Sequence, residues 1–383
     1  MQTRRCLVKL LRFAFVLAIF VVSLIPAIYT FGKVPERYQP PPLQELQEMR
    51  PLAPLHTHWE GRWYDLDKNY HTFERGFSDH LGLRNLMVRA KNELDFVLFN
   101  SSRRVYFGKQ DEIYGRSMSD LELPNTEKLL ADRHMAEAVY QGTLKLAAKL
   151  EAQGTTMVLV LPVSKQYFTQ DRIPRFLPRV QLPSHFMQLY QRLKATPGLH
   201  MVDVYDLIDK SQGKFPIYYR QDFHWTDLTA MTVAQDTINR IAAMEQRPPA
   251  WRYAMESFQQ PFIGSEARFA ALLLERPLVY EPFLKKTWQD VHQTIPMDPK
   301  ATGFEFVTDK VSDKGLLPPA CMFGNSFGDG MLRAGLADHF EQFTKLDRAL
   351  LPNDLPPLIN GRCKYLIVQI LDNASSIFLS LAD

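Results

Sequence analysis

Residues 156–161 read TMVLVL, an uninterrupted apolar run closed by Pro162. A strand without polar alternation has no face left for water, so it belongs inside a sheet covered by helices on both sides. Helical patterning brackets it. A helix is expected from Thr126, a suitable N-cap, to Leu150, with Gly154 as its stop signal. Another is expected from Leu83 to Phe99, where Leu86, Ala90, Leu94, Val97 and Leu98 fall near helical spacing. Further along come a helix over Phe186–Ala195, a strand over Leu199–Val204 and a long helix over Thr226–Met244. Cys321–Phe323 and Tyr365–Leu371 read as strands, with a helix over Met331–Phe340 between them. Strands alternating with helices indicate an α/β sandwich on a mainly parallel sheet. The stretch 251–314 is less periodic, with scattered prolines and a strand-like piece at Phe304–Thr308. It reads as an insertion or lid that shapes a groove.

The N-terminus sets a second constraint. Phe13 to Phe31 carries no charge over 19 residues, close to the roughly 20 that cross a bilayer as a helix. Arg4, Arg5, Lys9 and Arg12 precede it, and such a cluster keeps the N-terminus cytoplasmic. The competing reading, a cleaved signal peptide, would need a small-residue cleavage site, whereas the exit reads Pro26-Ala27-Ile28-Tyr29-Thr30. The expected order is therefore a basic tail (1–12), a single-pass anchor (13–31), a Pro-rich spacer (32–57) stiffened by its prolines, and a catalytic domain (58–383) outside the cytoplasm. The net charge of +3 and the lack of a basic stripe exclude nucleic acid as a partner. Three cysteines make no disulfide framework. Cys321 and Cys363 read as two buried thiols, with one disulfide as the alternative in an oxidising compartment.

Chemistry concentrates in two short segments. Gly324-Asn325-Ser326-Phe327-Gly328 follows an apolar strand, so the serine emerges at the carboxyl edge of the sheet, where open α/β sheets bind ligands. The pattern fits a nucleophile elbow, its glycines allowing a tight turn. By itself it is also an ordinary Gly/Ser turn. A nucleophilic serine needs a histidine base held by an acid. Only His339 follows Ser326, and its neighbour Asp338 points elsewhere on the expected helix, so the order Ser, acid, His of α/β-hydrolases fails. Upstream, Arg220-Gln221-Asp222-Phe223-His224-Trp225 precedes a helix. A carboxylate two residues before a histidine in turn backbone reaches the imidazole and fixes its tautomer. The bland alternative is a hydrogen-bond cluster at a helix start. No H-E-x-x-H, paired C-x-x-C or Walker A pattern occurs, so neither metal nor cofactor is expected.

These residues resemble the AlgX/AlgJ-type polysaccharide O-acetyltransferases, members of the SGNH-hydrolase-like superfamily. In that family a D-x-H-W motif precedes a G-x-S-[FY] motif, a permuted triad order. Asp222-Phe223-His224-Trp225 matches the first and Gly324-Asn325-Ser326-Phe327 the second. Phe77-Ser78-Asp79-His80-Leu81-Gly82-Leu83-Arg84, the stretch Val105–Tyr114, and Pro162-Val163-Ser164-Lys165 resemble further family segments in the same order. Gln110-Asp111-Glu112-Ile113 departs from the family pattern, and Gln369 stands where relatives often carry Glu.

The resemblance implies an SGNH-type three-layer sandwich with Asp222, His224 and Ser326 as triad. Asn325, Phe327, Trp225 and Arg220 become candidates for oxyanion or substrate contacts. It further implies acetyl transfer through an acetyl-serine to an exported, alginate-like polysaccharide. The acetyl donor would come from a multi-pass membrane acyltransferase partner rather than a bound cofactor, at an inner membrane facing the periplasm. An esterase with the same triad, or an inactive scaffold, would leave the same motifs.

Overall fold

The computed structural model describes residues 12–21, 24–26, 29, 46, 51–54, 66–116, 125–175, 177, 179, 183–274 and 276–381. The expected spacer lies mostly outside them, as does part of the expected anchor, which is helical at 12–21 and 24–26. Among the described residues no helix is long and apolar enough to cross a membrane.

The chain divides into two compact units, residues 1–105 with 267–277, and residues 106–266 with 278–383. In the first, helices Leu66–His80 and Arg84–Phe99 meet at a left-handed Leu83. The Asn92 amide donates to the Ala270 carbonyl at 3.0 Å, and Glu93 accepts from the Leu274 N–H and pairs with Arg276. These contacts strap the segment 267–277 onto the second helix.

Eleven strands are described: β1 (Val105–Phe107), β2 (Ile113–Gly115), β3 (Thr156–Val160), β4 (His200–Val202), β5 (Ser257–Pro261), β6 (Tyr280–Leu284), β7 (Thr294–Pro296), β8 (Phe304–Thr308), β9 (Ala320–Gly324), β10 (Phe343–Leu346) and β11 (Tyr365–Gln369). Seven form the central sheet in the order β4-β3-β11-β9-β10-β8-β7. The first five of these are mutually parallel, while β8 runs antiparallel to β10 and β7 antiparallel to β8.

The period of two along each strand explains why the strands read as wholly apolar. Met157 and Leu159 of β3, Cys321 and Phe323 of β9, and Leu366 and Val368 of β11 face one core, shared with Leu146 and Leu150 of helix Arg133–Glu151 and Phe186 and Tyr190 of helix His185–Lys194. Their alternates Val158, Val160, Met322 and Ile367 face a second core, with Val233, Ile238 and Ile241 of helix Asp227–Met244 and Met331 of helix Ser326–Arg333. Two apolar faces, each roofed by helices, make a three-layer sandwich.

Five expectations change. The helix expected from Thr126 breaks in two, Asn125–Leu130 and Arg133–Glu151, because the Asp132 side chain caps the second by accepting from the His134 N–H at 2.8 Å. The strand after Leu199 ends at Val202, where Asp203 caps an unforeseen helix, Val204–Ser211. The helix expected from Met331 begins at Ser326 and stops at Arg333, leaving Leu336–His339 as a separate tight turn. The stretch 251–314 is no separate lid, since β7 and β8 extend the central sheet and β5 pairs with β6 in a hairpin. Cys321 and Cys363 form a disulfide, with Cα atoms 5.7 Å apart, so the two-thiol reading gives way to its alternative.

Candidate functional site

β9 ends at Gly324, and the next residue, Asn325, caps the following helix, its side chain accepting from the Phe327 N–H at 3.1 Å. Ser326 thus stands at the first helical position, at the carboxyl edge of the sheet. Gly324 and Gly328 are required here by proximity rather than by a special backbone conformation, since neither has a positive φ. A Cβ on Gly324 would lie 2.8 Å from the Gln369 carbonyl, and one on Gly328 would strike the end of Met322. The Gly328 N–H donates to the Gln369 side chain at 2.8 Å. Gln369 therefore pins the start of this helix to β11.

The histidine comes from the loop 219–224, closed by a 3.1 Å hydrogen bond from the Tyr219 N–H to the His224 carbonyl. Thr226 then caps helix Asp227–Met244. The turn brings Asp222 and His224 to the same side. His224 Nδ1 lies 2.6 Å from Asp222 Oδ1, and His224 Nε2 lies 2.6 Å from Ser326 Oγ. With Asp222 ionised, Nδ1 carries the hydrogen and donates to the carboxylate, leaving Nε2 to accept from the serine hydroxyl.

Asp222 is only 5% exposed. Burial pushes its carboxyl upward, but the His224 ring, the His224 N–H and the Ser265 N–H outweigh that and hold it well below the usual carboxylate range. Oδ1 accepts from the His224 N–H at 3.0 Å, and Oδ2 accepts from the Ser265 N–H at 2.8 Å. Ser265 Oγ also lies 2.9 Å from Oδ2. The approach is close enough that a Cβ on Gly264 would overlap the Gln221 carbonyl.

A buried lysine braces the same loop. Lys165, 2% exposed, reaches Glu112 Oε2 at 3.0 Å and the carbonyls of Tyr219, Arg220 and Asp222 at 3.3, 3.0 and 3.1 Å. Arg172 holds the other oxygen of Glu112 at 2.7 Å. Neither the lysine's role nor that of Ser265 was legible in advance. Pro162-Val163-Ser164-Lys165 resembles a family segment, but no local pattern tells that its lysine reaches a loop some 55 residues away.

The remaining candidates divide. Phe327 is buried, its ring centroid 5.0 Å from that of His224, so it packs beneath the imidazole. Trp225 is 1% exposed and donates from Nε1 to the Phe327 carbonyl at 3.1 Å. It is a packing anchor that ties the histidine loop to the serine helix, and it walls no groove. The Arg220 guanidinium is taken up by Glu281 Oε1 at 3.1 Å and the Tyr280 carbonyl at 2.6 Å, which makes it a brace to β6 instead of a substrate contact. His339 lies apart, its ring bonded to the Gly335 carbonyl and the Arg252 N–H.

Residues 123–299 match the family model described as the SGNH hydrolase-like domain of acetyltransferase AlgX. That stretch holds Asp222 and His224 and ends before Ser326. A curated relative, "Probable alginate O-acetylase AlgJ" of Pseudomonas syringae pv. tomato, is 27% identical over 177 residues, 46% of this chain and 42% of the relative. The match thus spans less than half of that relative's length. PatB1 of Bacillus cereus, solved with a sulfonyl adduct, superposes with a TM-score of 0.51 at 12% identity, over 72% of this chain and 97% of that one. It shows the fold. The O-acetyltransferase domain of Pseudomonas putida AlgJ aligns with a TM-score of 0.47 at 12% identity, over 71% and 92% of the two chains. The matched domain and the curated relative together make this chain similar to the AlgX/AlgJ family of SGNH hydrolase-like proteins.

Proposed function

We propose that the chain is a serine-dependent O-acetyltransferase acting on hydroxyls of an exported, alginate-like polysaccharide. The observation that carries the reading is the His224 ring, bonded at 2.6 Å on one side to Asp222 and at 2.6 Å on the other to Ser326. Nucleophile, base and orienting acid are in hydrogen-bond reach in the order a serine acyl transfer requires.

His224 Nε2 takes the Ser326 proton as Oγ attacks the carbonyl carbon of an acetyl ester or thioester. The tetrahedral oxyanion collapses, the donor's leaving oxygen or sulfur takes the proton from His224, and acetyl-Ser326 remains. A sugar hydroxyl then surrenders its proton to His224 and attacks the acetyl carbon, and as the tetrahedral oxyanion collapses the Ser326 oxygen leaves and takes that proton back from His224. The developing oxyanion needs donors at the helix start. Among the described residues no acceptor takes the Ser326 N–H, which leaves it available for that charge. The Asn325 amide is the second donor, since its oxygen already serves the Phe327 N–H.

The acetyl donor arrives through a multi-pass membrane partner, and the uncharged run 13–31 anchors the enzyme beside it, with the catalytic domain in the periplasm. The names of the relatives, an alginate O-acetylase and an acetyltransferase, support polymer acetylation as the class of activity.

Ser326→Ala tests the reading. The full-length variant, given an acetyl ester with and without a mannuronate oligosaccharide, should form neither acetyl-enzyme nor acetylated sugar. Wild-type enzyme should form both. Retained acetylation by the variant would sink the assignment, and free acetate as the wild type's sole product would make it an esterase.

A further inference from the structure

Glu266 follows Ser265 in the chain, has no exposed surface and takes no part in the steps above. Its Oε2 lies 2.9 Å from Ser265 Oγ, and the same hydroxyl lies 2.9 Å from Asp222 Oδ2. A serine hydroxyl carries one hydrogen and cannot donate to two carboxylates. If both acids were ionised, one of these short contacts would press lone pairs together in a site hidden from water. Asp222 is the acid committed to its charge, because it accepts from the His224 ring and from two backbone N–H groups.

The conflict disappears when Glu266 holds a proton. Its O–H then donates to Ser265 Oγ, and the Ser265 hydroxyl donates onward to Asp222. A second observation points the same way. Glu266 Oε1 is buried with no hydrogen-bond partner among the described residues. An unpartnered oxygen is costly on a carboxylate and far less so on a neutral acid. Lys165 is the nearby cation, and its ammonium is already drawn to Glu112 and three carbonyls.

We propose that Glu266 is a positioning residue, a neutral acid whose proton orients Ser265 and, through it, the Asp222 carboxylate that aligns His224. The proposal rests on the reading of Asp222, His224 and Ser326 as a triad. Burial first, and then the charge of Asp222, push the Glu266 carboxyl up to about 7 against the pull of Lys165. Ionisation near neutrality would therefore turn the Ser265 hydroxyl from Asp222 and set a second negative charge beside it. The other titratable and charged groups around the cluster are His224 on the loop, Glu112 with Arg172 beyond Lys165, and Glu281 paired with Arg220.

The test compares full-length wild type, Glu266→Gln and Ser326→Ala. Phenylmethylsulfonyl fluoride labels the active serine at a rate that reports the alignment of the triad and needs neither donor nor polysaccharide. Infrared difference spectra between wild type and Glu266→Gln should show a protonated-carboxyl stretch that fades as pH rises through about 7. With that band the wild-type labelling rate should fall several-fold, while Glu266→Gln, whose amide donates at every pH, keeps its neutral-pH rate. Absence of the band, or a Glu266→Gln profile that tracks the wild type, overturns the proposal and leaves the triad standing. Labelling of Ser326→Ala at the wild-type rate removes the triad reading and the positioning role together.

Discussion

His224, in the loop 219–224, and His339, in the turn Leu336–His339, each stand beside an aspartate in sequence, Asp222 and Asp338. Only one of the two pairs is bonded. His224 donates from Nδ1 to a carboxylate and accepts from a hydroxyl on Nε2, at 2.6 Å each. His339 gives Nδ1 to the Gly335 carbonyl at 2.9 Å and takes the Arg252 N–H on Nε2 at 3.2 Å. Asp338 meanwhile accepts from the Tyr253 hydroxyl and the Val291 N–H. Its immediate neighbour is out of reach because adjacent side chains on a tight turn diverge, whereas a two-residue spacing in a closed loop converges. A carbonyl can fix a tautomer, but it cannot stabilise an imidazolium as an anion does. The comparison separates a histidine built to take up a proton from one built to stay neutral.

Asp222→Asn breaks that difference most severely. The amide can donate to the ring as readily as accept from it, so Nδ1 no longer carries the hydrogen and Nε2 no longer accepts from Ser326. Turnover should fall by roughly 10⁴-fold, the loss seen when a serine protease triad is changed in the same way. Melting temperature should change little. The check is kcat on an acetyl ester together with the rate of sulfonyl labelling. A loss of less than about tenfold would mean that the carboxylate is structural.

Much of this site could be read from sequence, for a physical reason. Asp222 and His224 interact through a spacing of two, and Ser326 sits at a strand-to-helix junction whose residue types are set locally. Their joining depended on the motif order shared with a family. What supports them did not show. Ser265 meets Asp222 across 43 residues, and Lys165 meets the Asp222 carbonyl across 57. Such contacts leave no periodicity behind. The helix bearing Ser326 was misplaced because Gly328 and Gly330 are poor helix formers. They stand there because Met322 and Ala230 come too close for a side chain, a Cβ on Gly330 falling 3.0 Å from that of Ala230. The sheet was easier, since strands buried on both faces advertise themselves. Its antiparallel margin, β7 and β8, reads as part of an insertion or lid because those strands are short, and the residues of β7 are all exposed.

Lys165→Met sharpens the comparison at intermediate size. His224 has a loop held from beneath by an ammonium, whereas the His339 ring is fixed by the Gly335 carbonyl of its own turn. Removing the charge leaves Glu112 buried, with Arg172 as its remaining cation among the described residues. Breaking a buried pair this way costs about 3–5 kcal/mol, and the lower end is expected because Arg172 stays. A urea midpoint lowered accordingly, with kcat reduced and KM for a small acetyl ester unchanged, is the predicted pattern. An unchanged midpoint would show that the three loop carbonyls hold their places without the lysine.

The smallest effect belongs to His339→Gln. Burial foremost lowers this imidazole's pKa to about 4, with the Arg252 charge adding to it, although the Gly335 carbonyl pulls the other way. In the unfolded chain the same group titrates near 6.5. Between about 6.5 and about 4 the unfolded state therefore binds the proton that the folded state refuses, so stability falls as pH is lowered through that window. The glutamine variant removes this contribution. Near neutrality it should be less stable by about 1 kcal/mol, for hydrogen bonds that glutamine reproduces only in part. As pH drops toward 4 its stability curve should converge on the wild-type curve or cross it, while kcat at neutral pH stays the same. Parallel curves across the window would place the acid sensitivity elsewhere. A fall in kcat would mean that the turn after the serine helix is coupled to the triad, and that the two histidines do not act separately.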